Sequence, residues 1–325
     1  MHQFVKKPGR IIFRWAYPYL IRYKILRSVL EEFVAIAGGC PKGKDPFEWV
    51  QNRRFRRLYW DVLLKHRLPL AVEFEMNSLC NRRCSYCPNV HQARPKGFLD
   101  LSLYKKLIDE LALYKYRGYI IPNFYGEPLL DERIDQFVQY ARKVLPSSII
   151  LINTNADFLS VDRFYQLVEA GVDIFLISQH DPTPSAAIQE LSRLIDKHPN
   201  LGEKINIVNW TSASRVLSSR GGLIDDDRIA YMSKTGCFRS RRATLTFDGD
   251  LIICCEDFLA EYIYGNINDQ DFIQLWKLSL SHRREIFLGN YTEPICRTCA
   301  GLSPLLSERE TSIRRSGEQV RVVGC

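Results

Sequence analysis

Three thiols stand close together at Cys80, Cys84 and Cys87, just behind the mostly apolar run Ala71-Val72-Glu73-Phe74-Glu75-Met76. Cysteine thiolates are the usual ligands of iron–sulfur clusters. A [4Fe–4S] cubane has four irons, so three local thiolates leave one iron open to a ligand from outside the protein. A zinc knuckle is the alternative; zinc wants four ligands, and His91 would be the fourth. A second group comprises Cys237, the pair Cys254-Cys255, Cys296 and Cys299. Four thiolates from this group would fully ligate another [4Fe–4S] cluster or a tetrahedral zinc ion, and spacing does not separate the two. Neighbours on a strand point to opposite faces, so only one of the pair is expected to serve. The count from the Asp248-Gly249 turn selects Cys254 and leaves Cys255 spare.

The elements around these thiols set their geometry. From Leu70 onward apolar strands alternate with amphipathic helices. Strands are expected at Ala71–Met76, Tyr119–Phe124, Ser148–Ile152, Asp173–Ser178 and Lys204–Val208, and helices at Ser102–Tyr114, Arg133–Val144, Val161–Ala170 and Pro184–Lys197. Asp100 or Ser102 is placed to cap the first helix, and Asp157 and Ser160 precede the third. This order implies βαβ units and a parallel sheet. Five strands, or six, fit a partial (β/α)5-6 TIM-like barrel rather than a closed one. Sites in such barrels gather at the carboxyl ends of strands. There the sequence offers Gly126-Glu127-Pro128 after the second strand, Asn153-Thr154-Asn155-Ala156 after the third and Ser178-Gln179-His180-Asp181 after the fourth. Turn capping accounts equally well for Asn153 and Asn155. Past the fifth strand, Arg220 is followed by Gly221 and Gly222, suiting its five-donor fork to a polar substrate. Asp248-Gly249 between apolar runs signals a hairpin from Ala243 to Ile253. Ile273-Gln274-Leu275-Trp276 reads as the start of a short helix.

Taken in order, these pieces resemble the radical S-adenosylmethionine (SAM) superfamily, and in particular its SPASM/twitch subgroup. The fragments that carry the resemblance are EMNSLCNRRCSYCPN (75–89), FYGEPLL (124–130), NTNADFL (153–159), SQH (178–180), LSSRGG (217–222), CCEDF (254–258), GNI (265–267) and CRTC (296–299). They are similar to the radical-SAM dehydrogenases of aminoglycoside assembly, the 2-deoxy-scyllo-inosamine dehydrogenase type. The resemblance implies that SAM's amino and carboxylate groups take the open iron of a cluster on Cys80, Cys84 and Cys87. One electron then breaks the sulfonium to give a 5′-deoxyadenosyl radical. Gly126, Glu127 and Pro128 match the motif that contacts SAM's amino group, with Tyr125 in place of its first glycine. Thr154 and Asn155 match a turn near the ribose, with Ala156 in place of a glycine. Tyr86, Ser178 and Gln179 complete the implied SAM-binding set, and His180 is a candidate proton shuttle. A second [4Fe–4S] cluster on Cys237, Cys254, Cys296 and Cys299 would accept an electron. Arg220 would hold a substrate hydroxyl while alcohol becomes ketone; its high pKa favours holding over acting as a base. The implied substrate is a sugar, a cyclitol or a nucleotide-linked sugar, and the implied electron donor is flavodoxin- or ferredoxin-like. Dehydration, decarboxylation or epimerisation on the same scaffold, peptide modification, and a metal-binding module without chemistry are the other readings.

Length and composition agree with an α/β enzyme. The chain has 325 residues, 46% hydrophobic and 25% charged, enough for a large core. Ten cysteines in C-x-x-C-type groups suggest metal binding in a reducing compartment, hence the cytoplasm, rather than disulfides. Cys40 has no cysteine near it and reads as a small buried residue. The net charge is +8, yet residues 1–67 hold 15 Lys/Arg against 5 Asp/Glu. The remainder therefore has no basic excess, and no nucleic-acid partner is expected. Residues 1–68 read as a basic helical extension, 69–222 as the barrel and 223–325 as the auxiliary-cluster domain. The extension is a candidate contact for an anionic membrane or partner, though solvated basic helix faces explain it more simply. Arg14, Arg22, Lys24 and Arg27 break the apolar run at 11–30, so neither a signal peptide nor a bilayer span is expected.

Overall fold

A computed structural model of the chain describes residues 56–57, 60–61, 67–212, 216–230 and 236–302. The basic extension and Cys40 lie almost wholly outside the described residues. Eight strands form one sheet in the order β5-β4-β3-β2-β1-β6-β7-β8. They are β1 (Ala71–Phe74), β2 (Tyr119–Ile121), β3 (Ile149–Thr154), β4 (Ile174–Gln179), β5 (Ile205–Asn209), β6 (Arg242–Leu245), β7 (Asp250–Ile252) and β8 (Ile263–Asn266). The pairs from β1 through β5 are parallel, and β6 also runs parallel to β1. The sixth parallel strand therefore comes from the far side of the Arg220 loop, and one sheet carries both cysteine groups. β7 and β8 turn back antiparallel from β6, giving the hairpin expected at Asp248-Gly249.

The α-helices that lie wholly among the described residues are α1 (Pro88–His91), α2 (Leu101–Leu113), α3 (Ile134–Val144), α4 (Val161–Ala170), α5 (Ala186–Lys197), α6 (Phe272–Phe287) and α7 (Pro294–Cys299). Asp100 caps α2 by accepting from Ser102 N and Leu103 N, and Ser160 caps α4 by accepting from Arg163 N. Such caps contribute about 1 kcal/mol each by satisfying first-turn donors. Ser185, not Pro184, starts α5. The short helix expected at Ile273 is the first turn of the long α6.

Alternation along the strands decides what faces the site. Val72, Phe74 and Met76 enter the core with Tyr104, Leu107 and Phe137, so Glu73 and Glu75 take the other face of β1. Likewise Phe175, Ile177 and Gln179 are buried while Ile174, Leu176 and Ser178 are half-buried. The helix side of the sheet is thus dry, and the opposite side carries polar residues. Among the described residues no helix is long and apolar enough to cross a membrane.

Candidate active site

The loop after β1 carries Cys80, Cys84 and Cys87, all half-buried. Burial pushes the three thiols up, Cys84 to about 11. The loop is latched to two other strand ends. Arg82 binds Asp157 through Nε and Nη2, at 2.7 and 2.6 Å, and Asp181 through Nη1 at 2.5 Å. Asn81 donates to Asp157 at 2.7 Å and accepts from Asn155 Nδ2 at 2.8 Å. Arg82 and Asp157 lie inside the fragments at 75–89 and 153–159, where Arg82 has no assigned role and Asp157 reads only as a residue preceding a helix. His91 Nε2 lies 2.6 Å from Ser85 O, tied within its own turn.

Glu127 knots the next two strand ends together. It is 3% exposed. Its carboxylate accepts from Thr154 Oγ1 at 2.7 Å, Asn155 N at 2.8 Å and Leu129 N at 3.1 Å. Burial pushes its pKa up to about 7, against the pull of these donors. Pro128 opens the 3₁₀ turn that Glu127 caps. Gly126 lies so close to the first loop that a Cβ on it would stand 2.1 Å from Asn77 O. Asn77 itself donates to Glu127 O at 3.0 Å. Tyr125 donates to Cys255 O at 3.0 Å, and the Arg220 guanidinium lies 5.7 Å from its ring centre. In place of the family's first glycine, Tyr125 thus joins the barrel mouth to the second cysteine region.

At the end of β4, Ser178 and Gln179 part company. Ser178 Oγ accepts from Trp210 Nε1 at 3.0 Å. Gln179 turns to the buried side and donates to Asp181 O and Pro182 O. His180 Nδ1 is 2.5 Å from Tyr86 OH. Burial, then the nearby Arg82 charge, pulls His180 down to about 4, so its ring is neutral near pH 7. Tyr86 is stacked parallel to Trp210 at 6.2 Å, with Arg228 5.4 Å from its ring centre. Trp210 closes β5 at the barrel mouth, and the strand-end rule alone would have nominated it.

Cys237, Cys254, Cys296 and Cys299 line one cavity together with Ile253, Ile286, Tyr291 and Ile295. Burial pushes Cys254, Cys296 and Cys299 up. Cys254 and Cys255 lie in a turn just past β7, not on the strand. Cys255 is not on the cavity wall; Glu73, Arg239, Arg242 and Arg220 are the charges that reach it. Among the described residues no three Cys, His, Asp or Glu side chains converge closely enough to hold a single metal ion. Four thiols around one cavity, whose wall also carries the paired Arg239 and Glu256 and Ser240, suit a multi-iron cluster, so the donor set fits one.

Arg220, Gly221 and Gly222 form a tight turn with φ of +50°, +69° and +96°, a run in which side chains are strained and glycine is not. Arg220 Nη1 lies 3.4 Å from Glu256 Oε1. Glu256 is 2% exposed, accepts from Ser218 Oγ at 2.8 Å and also pairs with Arg239. Arg220 is therefore held between a carboxylate and the Tyr125 face, on the loop that packs against α7.

Residues 75–214 match the Radical SAM superfamily and residues 237–300 match SPASM, an iron–sulfur cluster-binding domain. The S-adenosyl-L-methionine-dependent 2-deoxy-scyllo-inosamine dehydrogenase of Niallia circulans is 32% identical over 243 residues, which are 73% of this chain and 95% of that relative. GTP 3′,8-cyclase of Aquifex aeolicus (strain VF5) is 29% identical over 226 residues, 65% of this chain and 62% of that relative. Among solved structures, BtrN in complex with AdoMet and 2-DOIA superposes with a TM-score of 0.63 at 32% identity, covering 71% of this chain and 92% of that one.

Proposed function

This chain belongs to the radical SAM superfamily, and from that premise we propose that it oxidises a hydroxyl-bearing carbon of a carbohydrate-type substrate to a ketone. A bound [4Fe–4S] cluster with SAM would supply radical hydrogen-atom abstraction at that carbon, and an auxiliary iron–sulfur cluster would supply an acceptor for the remaining electron. Cys80, Cys84 and Cys87 would hold the first cluster, and Cys237, Cys254, Cys296 and Cys299 the second. Glu127 would receive the SAM ammonium, since its carboxylate is pre-aligned by three donors and has no cationic partner among the described residues. Asn155 and Thr154 are fixed beside it. Tyr86, gripped by His180 and Trp210, is a rigid aromatic wall for the adenosyl group. His180 would position Tyr86.

The observation that carries the oxidation reading is the setting of Arg220. Its guanidinium is fixed between Glu256 and Tyr125, on the loop packed against the helix bearing Cys296 and Cys299. A hydroxyl bonded there would have its oxygen steadied as it loses its proton, close to the proposed electron acceptor. The cyclitol named for the Niallia circulans relative makes aminocyclitols the first substrates to try, with free and nucleotide-linked sugars next. A flavodoxin- or ferredoxin-like protein would deliver the starting electron. Anaerobic incubation with SAM, dithionite and such a panel should give one product lighter by two hydrogens, with 5′-deoxyadenosine in equal amount. Turnover on a peptide and on no carbohydrate would overturn the proposal.

One observation favours a second reading, epimerisation. The Cys255 thiol lies within reach of the Arg220 charge, where it could return a hydrogen atom to the substrate carbon, the thiyl radical left behind regaining an electron from the reduced auxiliary cluster and a proton from solvent. Deuterium from D₂O would then appear in a product of unchanged oxidation state; oxidation gives none at that carbon.

A further inference from the structure

Arg283, on α6, is fully buried. Among the described residues its guanidinium makes five hydrogen bonds, and none reaches a carboxylate. Nε donates to Ser279 Oγ at 2.8 Å; Nη1 donates to Arg242 O and Ile253 O at 3.0 Å and to Ser240 O at 3.4 Å; Nη2 donates to Ile252 O at 3.0 Å. The rings of Tyr264 and Trp276 cover it at 4.6 and 4.7 Å. A buried cation without an anion is costly, and neutral carbonyls offset only part of that cost. Tyr264, Cys254, Cys296 and the neighbouring His282 are the titratable groups that reach it. The carbonyl of Ile253, to which it donates, immediately precedes Cys254.

The missing negative charge has an evident source. A cubane held by four thiolates carries net negative charge, and charge, hydrogen bonding and burial set its potential. A fixed cation beside it stabilises the reduced form more than the oxidised form, because the reduced form is more negative. We propose that Arg283 is the resident counter-charge of the auxiliary cluster and raises its reduction potential, which makes that cluster the better electron acceptor. The inference rests on the four-thiol cavity holding that cluster.

The test uses the full chain with Cys80, Cys84 and Cys87 changed to alanine, so that only the auxiliary cluster loads. Iron content and the EPR spectrum of this parent check the cavity assignment first; a parent without iron sinks that assignment and is a failure distinct from that of Arg283. Arg283→Gln and Arg283→Lys are then compared by EPR-monitored potentiometric titration. Arg283→Gln should lower the midpoint potential by at least the 59 mV that equals a tenfold loss of electron affinity for one electron, and Arg283→Lys should lower it less. Equal potentials at full iron loading in all three would overturn the proposal. If Arg283→Gln takes up no iron, its iron-free melting decides. A curve like the iron-free parent's supports the counter-charge, because the defect then appears only with the cluster. An iron-free variant that does not fold overturns it, because the arginine then merely holds the strands together.

Discussion

Adding one methyl group at Gly126 should disable SAM cleavage while leaving the chain folded. The Cβ of Gly126→Ala would stand 2.1 Å from Asn77 O and 2.8 Å from Asn77 Oδ1, where ordinary contact begins near 3.4 Å. The loops after β1 and β2 must therefore part by more than an ångström. Asn77 cannot swing aside cheaply: its side chain donates to Glu127 O and accepts from Leu79 N. Overpacking of this kind costs about 1–3 kcal/mol, which a domain of this size should tolerate. The catalytic loss should be larger, because a misplacement of about 1 Å in an active site costs on the order of 10²-fold in rate. The shift separates the cysteine loop from Glu127, the two groups proposed to hold the amino end of SAM between them. The assay is 5′-deoxyadenosine release under anaerobic conditions with dithionite, normalised to iron content, with circular dichroism as the control for folding. Parent-level cleavage by a fully loaded Gly126→Ala chain would refute the close approach of these loops as a condition for activity.

Glu127 predicts a pH effect. Its folded pKa is raised from 4.5 to about 7, so its contribution to stability is full below 4.5 and lost as pH climbs through 7. Glu127→Gln should flatten the melting temperature of the iron-free chain across that window; an unchanged slope would contradict the burial argument. Of the neighbouring thiols, Cys254→Ala should lose about four irons per chain while Cys255→Ala keeps them all, measured by iron analysis after reconstitution; equal loss would reverse the assignment. Arg220→Lys keeps the charge but loses the fork. It should leave SAM cleavage without substrate near the parent rate and lower ketone formation by about 10-fold or more, as removal of one positioning hydrogen bond does; an equal fall in both would place Arg220 in SAM binding instead.

The sequence was most legible where a pattern is local. The strand–helix alternation, the caps at Asp100 and Ser160 and the hairpin at Asp248-Gly249 all follow from neighbours within a few residues. What escaped was set by contacts distant along the chain. Nothing near Arg82 names Asp157 or Asp181, 75 and 99 residues away. Ser178 and Gln179 look equivalent until the register puts one on the wet face and one on the dry face. Cys254 and Cys255 could be ranked by counting from a turn, but the strand alternation used to oppose them does not apply, because the strand has already ended. Arg283 carried no motif at all, since a buried cation gains its meaning only from the oxygens that surround it.

The Arg220 turn shows why both cysteine groups belong to one machine. A Cβ on Gly221 would stand 2.8 Å from Ile295 Cγ1, and one on Gly222 would stand 2.7 Å from Thr298 Cγ2. Ile295 and Thr298 directly flank Cys296 and Cys299 on α7. The N–H of Gly221 and the side chain of Ser219 also face the Cys299 sulfur. The two glycines thus let the arginine loop press directly onto the helix that bears half of the second thiol set. β6 meanwhile continues the sheet from β1, whose end carries the first set. The proposed substrate grip and the proposed electron acceptor are locked together by short-range packing, and both are referenced to the first cysteine loop through one sheet. Gly221→Ala should therefore disturb ketone formation and the EPR signal of the auxiliary cluster together, without altering SAM cleavage. If the signal stays at its parent form while ketone formation falls, the loop and the helix act separately and this coupling is wrong.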